Sequence, residues 1–328
     1  MTFAEEVESL IKQEKLPSFV ATLLLMFHES YLNAIQGRFS IEEVEPRIFQ
    51  LLHFTIKQIH HPYRFELYHR KIVQPFNYYK FGLDIIRPLI DFQHSSLINP
   101  HILIRIEEQI QRNENVILLA NHQVEPDPQI ISLLLEQNHP KLAEDLVFIA
   151  GHRVISDPLA VPFSLGRNLI CIYSKKHIAH PPEQKAFKLI HNQRSMKKMA
   201  ELLSEGGKCI YVAPSGGRDR PNENGEIFPA KFDPQSLEML LLMTKKAKRP
   251  SHFYPLALST YHILPPPHKV EKDIGEKRLP AFAPVHLHFD EEKDLDAIVA
   301  DIANKLEKRV KRAEIFSEII REAYLKFN

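Results

Sequence analysis

Six short apolar runs constrain this chain most: VILLA (116–120), LVFIA (146–150), LICIY (169–173), CIYVA (209–213), YPLAL (254–258) and VHLHF (285–289). Each has strand length, and the stretches between them carry helical spacing, so the chain from about residue 76 reads as α/β, a mixed central sheet flanked by helices. Residues 1–75 show only the three- and four-residue apolar rhythm of helices. Phe3, Val7, Leu10 and Ile11 mark one helix face. A second helix is expected over 19–35, stopped by Gly37, and Ser40 with Glu43 reads as a capping box for a third. The expected organisation is a small all-helical bundle over 1–75 ahead of an α/β domain over 76–328 that carries the chemistry.

In open α/β sheets, ligands bind outside the carboxyl ends of the strands, so the polar segments there are the candidates for function. VILLA runs directly into NHQVEPDP, with His122 and Asp127 five residues apart. A histidine held by a carboxylate on one ring nitrogen is a general base of near-neutral pKa that can take a proton from a hydroxyl. Asp127 before Pro128 is also the usual N-cap and N1 pair of a helix, so a purely structural role is open to it.

CIYVA is followed by PSGGRDRP. Gly216 and Gly217 permit close backbone approach, and Arg218 and Arg220 fall on one side of an extended segment with Asp219 on the other. Two guanidiniums beside exposed amides make a phosphate cradle; the same residues also fit a solvated turn whose charges satisfy one another. P-loop spacing is absent. LICIY leads into SKKH, where Lys175, Lys176 and His177 add local positive charge or form a plain surface loop. Arg153, Gly166 and Arg167, in GHRVISDPLAVPFSLGRN, can line the same crevice. His286 and His288 alternate on one strand, but no third ligand stands at sensible spacing, so no metal is expected.

The balance of 42 Lys and Arg against 41 Asp and Glu leaves a net charge of +1, so no global field draws nucleic acid or an anionic bilayer. The longest apolar stretch, FVATLLLMF at 19–27, is far short of the roughly 18–20 residues of a membrane span, leaving at most peripheral membrane contact. The acidic start MTFAEEVESL lacks the features of a leader. It points to a cytosolic chain, or to one already processed. Cys171 and Cys209 sit inside apolar runs and read as buried thiols.

The blocks NHQVEPDP, GHRVISDPLAVPFSLGRNLICIYSKKH, APSGGRDRP, YPLALSTYHILPPP and GEKRLP, with PFNYYKFGLDIIRPLIDF ahead of them, run in an order that resembles the soluble, plastid-type glycerol-3-phosphate 1-acyltransferases. The wider glycerolipid acyltransferase superfamily shares the His-x4-Asp block and has a Glu-Gly-Thr-Arg-like block where this chain has Ser215, Gly216, Gly217 and Arg218, as the soluble branch does. The resemblance implies transfer of an acyl group from acyl carrier protein, or sometimes coenzyme A, to the 1-hydroxyl of glycerol 3-phosphate, without a cofactor. His122 is then the base, Asp127 its orienting partner, and Lys176, His177, Arg218 and Arg220 the phosphate-binding set, with Arg153, Gly216 and Gly217 in support. Segment 159–165 is the expected wall of an acyl slot, and 245–249 and 305–312 are the expected basic docking segments for the acidic carrier protein. Two rivals remain: a hydrolase or kinase for phosphate esters, which needs a metal cluster or P-loop, and a non-catalytic lipid-phosphate binder, in which His122 is dispensable.

Overall fold

The computed structural model describes residues 1–267 and 275–327, apart from the side chain of Lys176. Its eight strands are β1 (Tyr68–His69), β2 (Ser96–Ile98), β3 (Asn115–Ala120), β4 (Val147–Gly151), β5 (Asn168–Ile172), β6 (Cys209–Val212), β7 (Ser251–Ser259) and β8 (His286–Phe289). They form one sheet in the order β1-β5-β4-β6-β3-β7-β8-β2. The five inner strands β5, β4, β6, β3 and β7 are parallel, β8 runs antiparallel to β7, and the edge strand β1 antiparallel to β5. All six expected strands are present, and the sheet is mixed as expected. The short edge strands β1 and β2 were not anticipated, because two or three residues carry no readable periodicity.

The helices are α1 (Phe3–Lys12), α2 (Ser18–Ile35), α3 (Ile41–His60), α4 (Tyr78–Ile86), α5 (His101–Gln111), α6 (Asp127–Leu135), α7 (Pro140–Asp145), α8 (Val161–Ser164), α9 (Lys175–Ile178), α10 (Lys185–Glu205), α11 (Pro234–Lys246) and α12 (Lys305–Leu325). β3 is buried over its whole length, and its alternation divides the core. Val116, Leu118 and Ala120 pack towards α5, α6 and α7, whereas Ile117 and Leu119 pack towards α10, α11 and α12. Residues enclosed on both faces must be apolar throughout, which is why the run reads VILLA rather than alternating.

The first three helices bury Phe3, Val7, Leu24, Ile48 and Leu52 in a cluster that also takes in Ile85 and Leu89 and reaches Val124, Ile130 and Leu133 beside α6. The capping box forms at α1, where Thr2 accepts from the Glu5 amide and Glu5 from the Thr2 amide. At α3 it does not: Ser40 is the N-cap, but its hydroxyl donates to Glu42 instead. Because β3 to β7 are parallel, the segments after β3, β4, β5 and β6 emerge at one edge of the sheet. That edge gathers His122, Arg153, the Lys176–His177 turn and the Gly216–Arg220 segment.

Candidate active site

The end of β3 is fastened on both sides. Asn121 lies one residue past the strand, and its side chain continues the ladder to β7: Nδ2 donates to the Leu258 carbonyl at 2.9 Å and Oδ1 accepts from the Leu258 amide at 2.8 Å. Gln123 extends the same connection, accepting from the amides of Thr260 and Tyr261. On the β6 side, the Tyr211 hydroxyl donates to the Asn121 carbonyl at 2.6 Å, and the Asp219 amide donates to the His122 carbonyl at 2.6 Å. The backbone of His122 is thereby fixed before its ring makes any contact.

The ring is fixed by Asp127. His122 Nδ1 lies 2.7 Å from Asp127 Oδ2, which also accepts from the amides of Gln123 at 2.8 Å and Val124 at 3.3 Å. Oδ1 accepts from the Thr260 hydroxyl at 2.6 Å. The other three contacts of this carboxylate come from N–H or O–H donors, so it serves as an acceptor towards the ring as well: Nδ1 carries the proton and Nε2 presents its lone pair. The side chain of Asp127 is fully buried while that of His122 is 30% exposed. One expectation needs correction: Asp127 does not cap α6. Pro126 is the N-cap, Asp127 is the first helical residue, and its carboxylate turns back over its own loop. The helix fixes the backbone of Asp127, and the loop amides aim its oxygens.

The Arg218–Arg220 segment is organised differently from a self-satisfying turn. Asp219 is buried and turned inwards, accepting from Asn121 Nδ2 and the Ala230 amide, each at 2.8 Å. Burial pushes its pKa up to about 6. Arg218 makes a bidentate pair with Glu276, both bonds at 2.6 Å, with Arg153 4.0 Å from the same carboxylate. Arg220 donates to the carbonyls of Pro267 and Arg218. Burial, and then the charge of Arg218, lower the Arg220 pKa. Behind them Arg278 is held by Glu125 and Asp157, each at 3.0 Å. Gly216 takes the left-handed conformation (φ +68°) that makes this turn possible. Gly217 offers its carbonyl to the Ser215 hydroxyl.

His177 lies in the turn α9, whose geometry comes from Lys188: its buried ammonium donates to the carbonyls of His177 and His180. Lys175 is engaged with Asp233 at 2.6 Å, at the start of α11. The side chain of Lys176 lies outside the described residues. His152, the neighbour of Arg153, stacks on Tyr173, and burial followed by the charges of His191, Lys188 and His177 pulls its pKa down to about 4. The sheet edge therefore brings together His122 with Asp127, Arg153 with Arg218 and Arg220, and His177 with His152. Sequence reasoning missed Thr260, Gln123, Glu276, Glu125 and Asp157. All five lie in blocks that carry the family resemblance, Gln123 and Glu125 in NHQVEPDP, Asp157 in the block that starts GHRVISDP, Thr260 in YPLALSTYHILPPP and Glu276 in GEKRLP, but no spacing or residue type singled them out there.

Beside His122 opens a mainly apolar cavity of about 130 Å³ between the sheet and the helices. Its walls include Ala160, Phe163 and Ser164 from the expected segment 159–165, together with Phe27 of α2, Phe148 and Leu169. Both cysteines are buried free thiols, Cys171 with its pKa pushed up to about 12 by burial. His286 and His288 bond to Ser96 and the Ala323 carbonyl respectively. Of the expected basic docking segments, Arg312 is unsuited: it is 4% exposed, donates to the Leu295 carbonyl and pairs with Glu238. No helix among the described residues is long and apolar enough to cross a membrane.

An acyltransferase family model matches residues 101–259, the stretch from α5 to the end of β7 that contains His122, Asp127 and both arginines. Over nearly the whole chain, it is similar to chloroplastic glycerol-3-phosphate acyltransferases. The protein of Spinacia oleracea is 41% identical across 98% of this chain and 70% of its own length. That of Arabidopsis thaliana is 40% identical across 98% and 72%, and the ATS12 protein of Cucurbita moschata 43% across 93% and 68%. With that identity running through both the helical region and the sheet, the chain belongs to the glycerol-3-phosphate acyltransferase family.

Proposed function

We propose that the chain transfers an acyl group from a thioester, carried on acyl carrier protein or coenzyme A, to the sn-1 hydroxyl of glycerol 3-phosphate. The product is 1-acyl-sn-glycerol 3-phosphate, the first intermediate of phospholipid synthesis. The acceptor is the one named for its relatives. The working compartment is aqueous, the bacterial cytoplasm or, as for those relatives, the plastid.

The observation that carries this reading is the tie of His122 Nδ1 to Asp127, which leaves Nε2 as a base at the rim of an apolar cavity. The acceptor hydroxyl gives its proton to Nε2 as its oxygen attacks the thioester carbonyl carbon, and Asp127 stabilises the imidazolium that forms. The tetrahedral intermediate collapses, the C–S bond breaks, and the departing thiolate takes the proton back from His122. No acyl-enzyme is required, and the two buried thiols are poor nucleophiles.

Arg220 supplies charge-assisted donors for the acceptor phosphate, with Arg218 beside it and Lys176 and His177 on the adjoining turn. Glu276 holds the Arg218 fork in one orientation. Fixing the phosphate aligns the hydroxyl with Nε2, and alignment of this kind lowers barriers by several kcal/mol. The acyl chain occupies the cavity beside His122.

The test is an assay of the purified chain with glycerol 3-phosphate and matched carrier-protein and coenzyme A donors, the product identified by mass spectrometry. His122→Ala is expected to yield no product while still binding glycerol 3-phosphate. Turnover at the wild-type rate in that variant would refute the mechanism, and binding without any turnover in the wild type would favour a non-catalytic binder.

A further inference from the structure

The cavity beside His122 is not apolar to its far end. Arg167, 3% exposed, lines it together with Phe148, Phe163, Ser164 and Leu169. The register fixes its depth. Asn168 of β5 pairs with Val147, Val147 with Ile210, and Ile210 with Ile117 of β3, so the backbone of Arg167 is level with Val116. That is six residues before His122, on the order of 20 Å along the strand direction for the backbone, but the side chain reaches back to Ser132, five residues from Asp127 and on the order of 7 Å along α6.

The guanidinium is held in place but not neutralised. Nη1 donates to the Ser132 hydroxyl at 2.6 Å, and the guanidinium carbon lies 4.8 Å from the ring centre of Tyr79. The preceding residue, Gly166, packs directly on the backbone of α4, where a Cβ would stand 2.5 Å from the carbonyl of Tyr78. Nε and Nη2 are buried without a hydrogen-bond partner among the described residues. The fold treats its other buried arginines differently: Arg278 has Glu125 and Asp157, and Arg312 has Glu238 and Asp296. A buried cation with two unfilled donors raises the energy of any occupant that covers it with hydrocarbon and rewards one that brings an acceptor.

We propose that Arg167 is a specificity-determining residue at the deep end of the acyl cavity. It disfavours a plain alkyl chain long enough to press its methyl end onto Nε and Nη2, and it accepts a chain of that length whose distal end carries an oxygen acceptor such as a hydroxyl. This rests on the acyltransferase reading above.

The experiment uses the full chain and acyl-coenzyme A donors in pairs of equal length, plain and distally hydroxylated, over a series of lengths. In competition, the wild type is expected to prefer the hydroxylated partner roughly tenfold in kcat/KM at the lengths that reach Arg167, the value of one charge-assisted hydrogen bond. Arg167→Met should bring that ratio to about unity, and Arg167→Lys should keep most of it, since it retains a charged donor. Thermal melting separates a change of choice from a loss of fold. If Arg167→Met does not fold, Ser132→Ala, which frees Nη1 as a third unfilled donor, should raise the same ratio. Equal use of plain and hydroxylated partners by the wild type at every length, or an unchanged ratio in Arg167→Met and Ser132→Ala, overturns the role of Arg167 alone. A wild type that acylates glycerol 3-phosphate from no donor overturns the acyltransferase reading itself.

Discussion

Asp127 accepts four hydrogen bonds, and only one of them comes from His122. Asp127→Asn places an amide where an N–H or hydroxyl must be accepted, so it disturbs both the tautomer and the aim of the ring; kcat should fall on the order of 10³- to 10⁴-fold while the acceptor KM changes little. Steady-state kinetics in both substrates would check this. Arg220→Ala should act in the opposite way, raising the acceptor KM about tenfold or more by removing one charge-assisted contact, with a smaller effect on kcat. His152 gives a pH prediction. Its folded pKa, about 4, lies below the usual 6.5, so between those values the unfolded chain binds more protons and stability falls as pH drops through this window. His152→Phe, which keeps a ring on Tyr173, should flatten that part of the melting temperature profile. At this scale legibility followed sequence distance. His122 and Asp127 stand five residues apart at a strand end, whereas Thr260 reaches Asp127 across 133 residues and Glu276 reaches Arg218 across 58. Only the assembled sheet brings those partners together.

The buried strands were the legible elements, because enclosure on both faces leaves an uninterrupted apolar run. Helix ends were less so: the Ser-x-x-Glu pattern at Ser40 had the residues of a capping box, yet the hydroxyl found Glu42, a competitor one turn cannot exclude. The juncture of α4 with the start of β5 shows what a single glycine decides. A Cβ at Gly166 would meet the Tyr78 carbonyl and the Tyr79 amide at 2.5 and 2.6 Å, both backbone atoms that cannot rotate aside. Gly166→Ala should therefore destabilise the chain by about 1–3 kcal/mol, the range typical of overpacking. Denaturant unfolding measures this, and a variant as stable as the wild type would show that the two elements part without cost.

At the scale of the whole molecule, the helical region and the sheet share one apolar cluster, and Phe27 of α2 forms part of the cavity wall beside His122. A chain truncated to begin at residue 76 would expose Ile85, Leu89 and Leu133 to water. It should aggregate or lose the cooperative unfolding transition of the full chain, as circular dichroism and light scattering would show. The near-zero net charge, plain from the sequence, told which partners to exclude but not where the cations would gather; that depended on the parallel order of the inner strands. The fastening of β3 at Asn121 and His122 bears on how the protein fails under heat. Its ladder reaches β7 on one side and the β6 segment on the other, so this corner cannot open without parting the centre of the sheet. Heat inactivation should therefore track global melting rather than run ahead of it, and amide hydrogens at this corner should be among the slowest to exchange.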